Sequence, residues 1–330
     1  MKNHGLIKLD ATIIESAAVV GKKEYEGPIG SFFDIHDPTD AFGKKTWEKS
    51  ESEMQRLALN TALSKANMSE SDLDGLFAGD LLNQCISSSY GLMDFDVPYF
   101  GLYGACSTAA EGLMLGSVFV THGIFDRCAS VSSSHNCSAE RQFRSPIEYG
   151  SQKPPTAQWT VTGSGAFIIG SGGGVCITEA MAGIVVERGI KDANNMGAAM
   201  APAAASTLLR YNNEVGLDTV DLIVTGDLGY EGGDILCELM LTEGVDIRKK
   251  YSDCGIIIYD KETQGTLSGG SGCGCSASVL ASYFVPKLRS GEIGSMLILG
   301  TGAMMSPDSI KQGEVIPAVA HLVRLENGGK

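Results

Sequence analysis

Long apolar segments and a recognisable leader are missing from this chain of 330 residues. The N-terminus, MKNHGLIKLD, contains no apolar stretch of the roughly 7–15 residues that a secretory signal peptide needs, so we expect no such peptide. No run of about 18 or more uncharged apolar residues occurs. We therefore predict that no helix spans a membrane.

Basic residues are scarce: 25 Lys and Arg stand against 39 Asp and Glu, for a net charge of −14. A surface that binds nucleic acid depends on basic side chains that neutralise phosphates, so this balance excludes nucleic acid as a general partner. An anionic ligand would need a local cationic pocket.

A cysteine pattern typical of a disulfide framework is also absent. The nine cysteines form an odd-numbered, dispersed set, which is atypical of a secreted disulfide framework and indicates a reducing, cytoplasm-like compartment. The pair Cys273 and Cys275 lacks further Cys or His residues nearby to complete a zinc site. The glycine-rich stretch at 170–174 lacks the Gly-Lys-Ser/Thr of a phosphate-binding loop and predicts a hairpin turn. We predict no metal site and no cofactor.

The sequence does contain an internal duplication. The segments LDGLFAGDL and VDLIVTGDL, each preceded by a helical pattern, superpose at an offset of 147, which brings Asp80 onto Asp227. Residues 101–134 superpose on 269–302 without a gap at an offset of 168, so the second half contains about 21 extra residues, placed between Gly229 and Gly265. Such long-range self-similarity predicts a duplicated α/β fold, with one half over residues 1–180 and the other over 181–330.

Two polar segments rich in Pro and Gly interrupt the duplication, at residues 28–49 and 135–162. Long irregular segments in a compact domain more often build functional sites than serve as plain connections. We expect these two segments to contribute to a site.

Cys106 lies where a strand-like segment turns into a helix, in Gly104-Ala105-Cys106-Ser107. The unpaired N–H groups of a helix N-terminus favour a thiolate, so this position predicts a lowered thiol pKa. Gly274 stands at the equivalent position of the second half, so the duplication does not account for the cysteine.

The segment DVPYFGLYGACSTAAEGL resembles the nucleophile turn of the thiolase and ketoacyl-synthase superfamily. The resemblance, over about residues 50–325, implies a five-layer αβαβα fold with pseudo-two-fold symmetry and a Cys that accepts an acyl group. It also implies His/His or His/Asn partners in the second half. This chain has Asp227-Leu228-Gly229 at the first expected position and no histidine between Ser138 and Ala320. A condensing enzyme needs a base and oxyanion donors, and neither is evident in the sequence.

A narrower resemblance explains this loss. FFDIHDPTDAFGKKTWEKSESEM and SSSHNCSAERQFRSPIEYGSQKPPTAQWTVTGSGAF are similar to segments of the stage V sporulation protein AD family of endospore-forming bacteria. The resemblance implies a non-catalytic protein that binds dipicolinic acid (pyridine-2,6-dicarboxylate), as its calcium chelate, and supports its uptake into the developing spore. It further implies a peripheral location on the cytoplasmic side of the spore inner membrane, with other proteins of the same operon as partners.

A dicarboxylate calls for cations, hydroxyl donors and a flat slot. The predicted ligand-binding residues are Cys106, which is also the vestigial catalytic nucleophile, with Ser132, Ser134, His135, Arg141, Arg144 and Lys153. Two other interpretations stay open: arginines three residues apart beside Glu140 and Glu148 are typical of a solvated ion-paired face, and a lone histidine is typical of a structural hydrogen bond.

Calcium that arrives with the ligand could also recruit Asp34, Asp37 or Asp80. The fold implies a homodimer in which a strand near residues 83–90 pairs across a two-fold axis. Two other functions remain: an acyltransferase or ketoacyl-synthase-like enzyme that uses Cys106 as acyl acceptor, and a structural scaffold of the spore envelope.

Overall fold

The computed structural model describes residues 5–144 and 152–328. Its strands are β1 (Leu6–Gly21), β2 (Ile35–Asp37), β3 (Gly75–Gly79), β4 (Tyr99–Leu102), β5 (Arg127–Ser134), β6 (Trp159–Thr160), β7 (Gly163–Gly170), β8 (Val175–Met181), β9 (Leu222–Thr225), β10 (Tyr251–Asp253), β11 (Gly270–Ser271), β12 (Ser295–Ala303) and β13 (Ala318–Asn327).

Its helices are α1 (Lys22–Tyr25), α2 (Trp47–Ala66), α3 (Ile86–Leu92), α4 (Thr108–Thr121), α5 (Asn136–Phe143), α6 (Met196–Glu214), α7 (Gly229–Thr242), α8 (Cys254–Ile257), α9 (Cys273–Val279), α10 (Val285–Ser290) and α11 (Pro307–Lys311). No helix in this described part of the chain is both long and apolar enough to cross a membrane.

The strands form two sets with the same order. The first set runs β4-β3-β5-β7-β1 and the second runs β10-β9-β12-β13-β8, and the two sets join where β1 pairs with β8. In each set the first three strands are parallel and the last two pairings are antiparallel. The predicted duplication is therefore confirmed in the sheet topology.

The pairing registers repeat residue by residue. Gly75 pairs with Cys128 in the first set, and Leu222 pairs with Met296 in the second. Gly75 and Leu222 differ by 147 positions, and Cys128 and Met296 differ by 168, which are the two offsets found in the sequence. The extra residues of the second half lie largely between Asp253 and Gly270, where they form α8 and an irregular loop.

Helices cover both sets and fill the space between them. α2 packs on β1, β5 and β7, α6 packs on β12 and β13, and α4 contacts both strand sets, with α9 beside it. The layers therefore run α2, first strand set, α4 and α9, second strand set, α6, which is the predicted αβαβα arrangement. α4 can occupy the central layer because most of its side chains are buried and uncharged.

Two local expectations are corrected. The loop at 170–174 is not a hairpin, because β7 and β8 lie on opposite sides of β1. Residues 83–90 are helical, with a 3₁₀ turn at Asn83–Cys85 followed by α3, and they lie between β3 and the strand at the edge of the sheet, β4. The predicted boundary between residues 180 and 181 falls within β8 and stays a prediction.

Glycines in β12 let the second strand set approach the turn that carries Cys106. A Cβ on Gly302 would lie 2.5 Å from the carbonyl oxygen of Gly104 and 3.1 Å from the amide nitrogen of Ser107. A side chain at this position would therefore displace backbone, which has little freedom to give way.

We expect Gly302→Ala to lower the free energy of unfolding by about 1–3 kcal/mol through overpacking. Gly173→Ala is the matched control, because a Cβ there meets nothing within 4 Å. Urea denaturation of both variants measures the difference. Equal stability of the two variants would show that β12 and the turn are not tightly packed.

Candidate functional site

Cys106 is held in a rigid turn between β4 and α4. It lies in a 3₁₀ turn, Ala105–Ser107, and Ala105 has a φ of 52°, a conformation that is uncommon for a residue with a side chain. The Ser107 hydroxyl donates to the Gly104 carbonyl at 2.6 Å, and the Thr108 hydroxyl donates to the Ala105 carbonyl at 2.7 Å. Strained backbone that is held in this way is typical of functional sites.

The Cys106 thiol contacts the carboxyl group of Asp227, which follows β9 in the second half. The two groups are close enough to interact as hydrogen-bond donor and acceptor. The Gly272 N–H also donates to Asp227 at 2.8 Å, and the Thr301 hydroxyl donates to its other oxygen at 2.7 Å. Asp227 thus occupies the position where the superfamily resemblance implies a histidine.

The electrostatics of this pair run against the prediction of a thiolate. Burial raises the pKa of the Cys106 thiol well above its usual value, and the negative charge of Asp227 raises it further. Burial likewise raises the pKa of Asp227 from 3.8 to about 7, although the Cys106 thiol and the Gly272 N–H stabilise its charged form. The lowered thiol pKa expected from the helix terminus is therefore wrong, because burial and a carboxylate outweigh the helix N-terminus.

A cavity of about 530 Å³ lies next to Cys106, within the usual size range of small-molecule sites. Leu81, Phe143, Met196, Met305 and Ile310 are among its apolar wall residues. Its other lining residues include Tyr103, Cys106, Glu140, Arg144, Gln152, Thr160, Asn194, Ser271, Ser306 and Ser309. α5 of the first half and α11 of the second half each contribute to the wall.

Of the predicted residues, Cys106 and Arg144 both line this cavity. The Arg144 side chain is only 14% exposed, and its Nε lies 3.1 Å from Oε2 of Glu140. Its Nη1 donates to Oδ1 of Asn194 at 2.8 Å. Partners from both halves of the chain therefore fix the guanidinium group at the cavity wall.

The other two predicted cations lie outside the lining. Arg141 is 57% exposed and pairs with Glu48 of α2, as the solvated-face interpretation anticipates. Lys153 donates to Glu140 at 2.8 Å and lies over the ring of Trp159. Lys153 can therefore act on the cavity only through Glu140. Glu148 lies outside the described residues.

The predicted serines and histidine lie outside the cavity lining. The Ser134 hydroxyl donates to the Val161 carbonyl at 2.6 Å, while the hydroxyl of buried Ser132 has no hydrogen-bond partner among the described residues. His135 caps α5: its Nδ1 accepts from the Cys137 N–H, and its Nε2 lies 2.9 Å from the Asp40 carbonyl oxygen. None of the three lines the cavity.

Several residues that shape the site have no role that is predicted from the sequence. The duplication drew attention to Asp227 through its partner Asp80, but nothing in the sequence placed it against Cys106. Asn194 and Ser306 are far from the predicted motifs in sequence and give no local signal. Only the packing of the second half against α5 brings them to the cavity wall.

Within residues 5–144 and 152–328, no group of three or more His, Cys, Asp or Glu side chains could hold a metal ion. The three aspartates considered for calcium are engaged elsewhere. Asp34 pairs with Lys65, Asp37 accepts from Thr39, and buried Asp80 accepts from Ser88. All nine cysteines fall in this part of the chain and are free thiols.

Sequence comparison decides the family. A model described as stage V sporulation protein AD matches residues 3–326. The stage V sporulation protein AD of Bacillus subtilis (strain 168) is 42% identical over 317 residues, which cover 95% of this chain and 94% of that protein. The chain belongs to the stage V sporulation protein AD family. It is therefore a sporulation protein, as the two loop motifs predicted.

Solved structures show the fold of this family member to be thiolase-like. Cerulenin-bound OleA from Xanthomonas campestris matches with a TM-score of 0.61 at 14% identity, over 98% of this chain and 99% of that chain. The 3-oxoacyl-[acyl-carrier-protein] synthase III of Aquifex aeolicus VF5 matches with a TM-score of 0.57 at 12% identity, over 96% and 99%. At such identities the likeness extends to the fold and not to the activity.

Because the pKa of Asp227 is raised, the stability of the folded protein should depend on pH. Between pH 4 and 7 the folded protein keeps a proton on Asp227 that the unfolded chain has lost, so this group's contribution to stability falls as pH rises through that range. We expect Asp227→Asn to gain stability relative to the wild type as the pH rises from 4 to 7. Each unit of pKa shift corresponds to about 1.4 kcal/mol, so the gain is on the order of 1–4 kcal/mol.

Denaturant unfolding at several pH values measures this difference. Asp246→Asn is the control, because the pKa of Asp246, held to about 2 by Arg248, lies below the tested range. A difference between the wild type and Asp227→Asn that stays constant with pH would contradict the assignment.

Proposed function

We propose that this protein is a catalytically degenerate member of the thiolase-like superfamily that binds dipicolinic acid in the cavity above Cys106. The observation that supports this best is the position of Arg144, a largely buried cation in the wall of a mostly apolar cavity. A pyridine ring fits apolar walls, and an arginine can bind a carboxylate through two parallel hydrogen bonds.

The ion pairs around Arg144 favour an anionic ligand. Glu140 is shared between Arg144 and Lys153, so the three side chains together have a net charge of +1. An excess cation that is only 14% exposed is poorly hydrated, and a ligand carboxylate provides the missing counter-charge.

The surroundings of Cys106 argue against acyl transfer. A condensing or acyl-transfer enzyme stabilises a developing oxyanion with hydrogen-bond donors. Here Asp227 lies close to the thiol, and once it is ionised, above about pH 7, its negative charge would destabilise such an oxyanion. The acyltransferase alternative still has the strained turn and the adjacent cavity in its favour.

Calcium enters this proposal as part of the ligand. Dipicolinate offers a cation one ring nitrogen and two carboxylates. The carboxylate oxygens are donors of the kind that calcium prefers. We therefore propose the calcium chelate as the transported species, delivered to the developing spore together with other proteins of the same operon. The proposed location is the cytoplasmic side of the spore inner membrane, where the protein would bind peripherally to those partners.

A homodimer is also part of the proposal. β4 is the edge strand of the first set and exposes the apolar side chains of Tyr99 and Phe100, with exposed Tyr103 directly after it; Tyr90 and Met93, at the end of the preceding helix α3, are exposed as well. Unpaired strand edges flanked by apolar side chains favour pairing with another strand. A second copy of the chain could pair with β4 and so provide hydrogen-bond partners for the unpaired backbone groups of this strand.

We expect Arg144→Ala to weaken dipicolinate binding about 10- to 100-fold, since a lost hydrogen bond to a charged group costs about 1.5–3 kcal/mol. Arg141→Ala is the matched control, because Arg141 lies three residues away on the same helical segment but pairs with Glu48 outside the cavity. Its affinity should stay within about twofold of the wild type.

Isothermal titration calorimetry with dipicolinate, alone and with Ca²⁺, tests both variants. Absence of heat with the wild type at millimolar ligand would reject the proposed binding. Equal losses of dipicolinate affinity in the two variants would show that the binding site does not include Arg144.

Incubation with acyl-CoA donors of several chain lengths separates the two functions. We expect the intact mass to stay unchanged, because the raised pKa of the Cys106 thiol disfavours the nucleophilic thiolate. The control is Cys106→Ala. An acyl adduct that forms on the wild type and is lost in this variant would favour the acyltransferase.

A further inference from the structure

The three additions to the duplicated fold meet at one buried side chain, Glu24 of α1. Its Oε1 accepts a hydrogen bond from the Thr162 N–H at 3.0 Å and another from the Tyr259 hydroxyl. Thr162 ends the interrupting segment 135–162, and Tyr259 lies among the extra residues of the second half. α1 itself leads into the other interrupting segment, 28–49. Glu24 therefore joins all three additions.

The second carboxyl oxygen of Glu24 faces another carboxyl group. Among the described residues, Oε2 of Glu24 has no hydrogen-bond partner. A Cβ on Gly21 would lie 2.9 Å from this oxygen and 2.5 Å from Oδ1 of Asp40, so both groups border the space that the glycine leaves. Two carboxyl groups this close repel each other when both are ionised, and burial disfavours a charge on Glu24 further. A proton on Glu24 removes both costs.

No cation in the described part of the chain compensates an ionised Glu24. The ammonium group of Lys22 pairs with an exposed glutamate, and that of Lys23 lies over a tryptophan ring. His135 contacts only the backbone carbonyl of Asp40, and burial lowers its pKa, so its ring is uncharged at neutral pH. The nearby positive charges are therefore engaged elsewhere.

The other titratable neighbours are neutral. Burial raises the pKa of the Tyr259 hydroxyl and of the Cys275 thiol beside it well above their usual values. Burial likewise raises the pKa of Glu24 from 4.5 to about 7, against its two hydrogen bonds, and the charge of Asp40 adds to the increase. The contribution of Glu24 to holding the additions together is thus complete below about pH 4.5 and is lost as the pH rises to about 7.

Thr162 connects Glu24 with the wall of the cavity. The Thr162 hydroxyl accepts from the Asn136 N–H at 3.1 Å, and Nδ2 of Asn136 donates to the Thr160 carbonyl at 3.2 Å. Asn136 begins α5, the helix that ends directly before Arg144, and both Thr160 and Arg144 line the cavity. A change in the position of Thr162 therefore reaches two lining residues through two hydrogen bonds.

Trp159 provides a second connection. Nζ of Lys23 lies 4.4 Å from the centre of its ring, and Nζ of Lys153 lies 4.6 Å from it. Lys153 also pairs with Glu140 in the cavity wall, while Lys23 is the chain neighbour of Glu24. Since Trp159 is half-buried between these segments, its exposure depends on their staying together.

We propose that protonated Glu24 locks the three additions together and that its ionisation loosens the cavity wall formed by α5 and β6. The lock acts on the wall whatever ligand occupies the cavity, so it does not rest on the proposed function. It holds on the acid side of neutrality and weakens on the alkaline side. A ligand that needs Arg144 in a fixed position accordingly binds more tightly when the lock is closed.

Acrylamide quenching of Trp159 fluorescence in the full chain tests this lock. The chain has two tryptophans, so Trp47→Phe leaves Trp159 alone and keeps an aromatic ring at position 47. In this background, quenching should be weak at about pH 6 and should increase with a midpoint near pH 7, where Glu24 ionises. Glu24→Gln keeps the oxygen that accepts both hydrogen bonds but has no titrating proton. Its quenching should stay weak up to about pH 8.

Two further variants in the same background serve as controls. Glu26→Gln is the matched control, because Glu26 lies two residues further along and is 58% exposed. It should titrate like the parent protein. Asp40→Asn removes the facing charge and keeps Oδ1, which accepts from the Lys22 N–H at 2.7 Å. It should shift the midpoint to a lower pH, because the repulsion that disfavours ionised Glu24 is gone.

Quenching that does not change with pH in the parent protein would overturn the proposal. A transition that persists unchanged in Glu24→Gln would overturn it too, since the titrating group would then be another one, such as Asp227, whose pKa is also about 7. If Glu24→Gln does not fold, an unshifted midpoint in Asp40→Asn would have the same meaning. All of these outcomes are measured without ligand, so they are independent of whether dipicolinate binds.

Discussion

The two halves of the molecule meet at the carboxyl group of Asp227. It accepts hydrogen bonds from Gly272 and Thr301 of the second half and contacts the Cys106 thiol of the first. A buried carboxyl group is tolerated only where such donors surround it, so this contact fixes how the strand sets approach each other. The close approach of Gly302 to the turn follows from the same constraint. The cavity forms beside this junction because the helices at its edge come from different halves.

Duplication followed by divergence explains why the site at Asp227 adjoins a cavity whereas the related site at Asp80 is filled by side chains. In the first half, Glu51 and its serine partners fill the space next to Asp80. In the second half, Asp227 faces Cys106, and a cavity lies beside it. Because the backbone arrangement is shared, the difference arises from a few side chains. The filled centre stabilises the fold through satisfied polar groups, and the open one is available to a ligand.

Features that depend on contiguous segments could be predicted from the sequence: the duplicated fold, the Cys106 turn and the family. The directions of the side chains could not be predicted. Arg141 and Arg144 lie three residues apart, yet one pairs with Glu48 in solvent and the other lines the cavity. Which face of α5 turns inward depends on packing against the distant residue Asn194, and no local pattern encodes that contact. The prediction of a lowered pKa for Cys106 failed for the same reason, since the pKa is raised first by burial in the folded chain and then by a residue 121 positions away in the sequence.

The acidity of the chain bears on how such a cavity could select its ligand. A net charge of −14 repels a free dianion, but mobile ions screen that repulsion beyond about 8–10 Å at physiological ionic strength. Within that range, the Arg144–Glu140–Lys153 array determines the local sign. A calcium chelate of a dicarboxylate has no net charge, so it meets no long-range repulsion and still presents carboxylate oxygens to Arg144. Both the chelate and the free anion can therefore offer carboxylate oxygens to the one oriented, poorly hydrated guanidinium, and Glu140 contributes by holding that guanidinium in place.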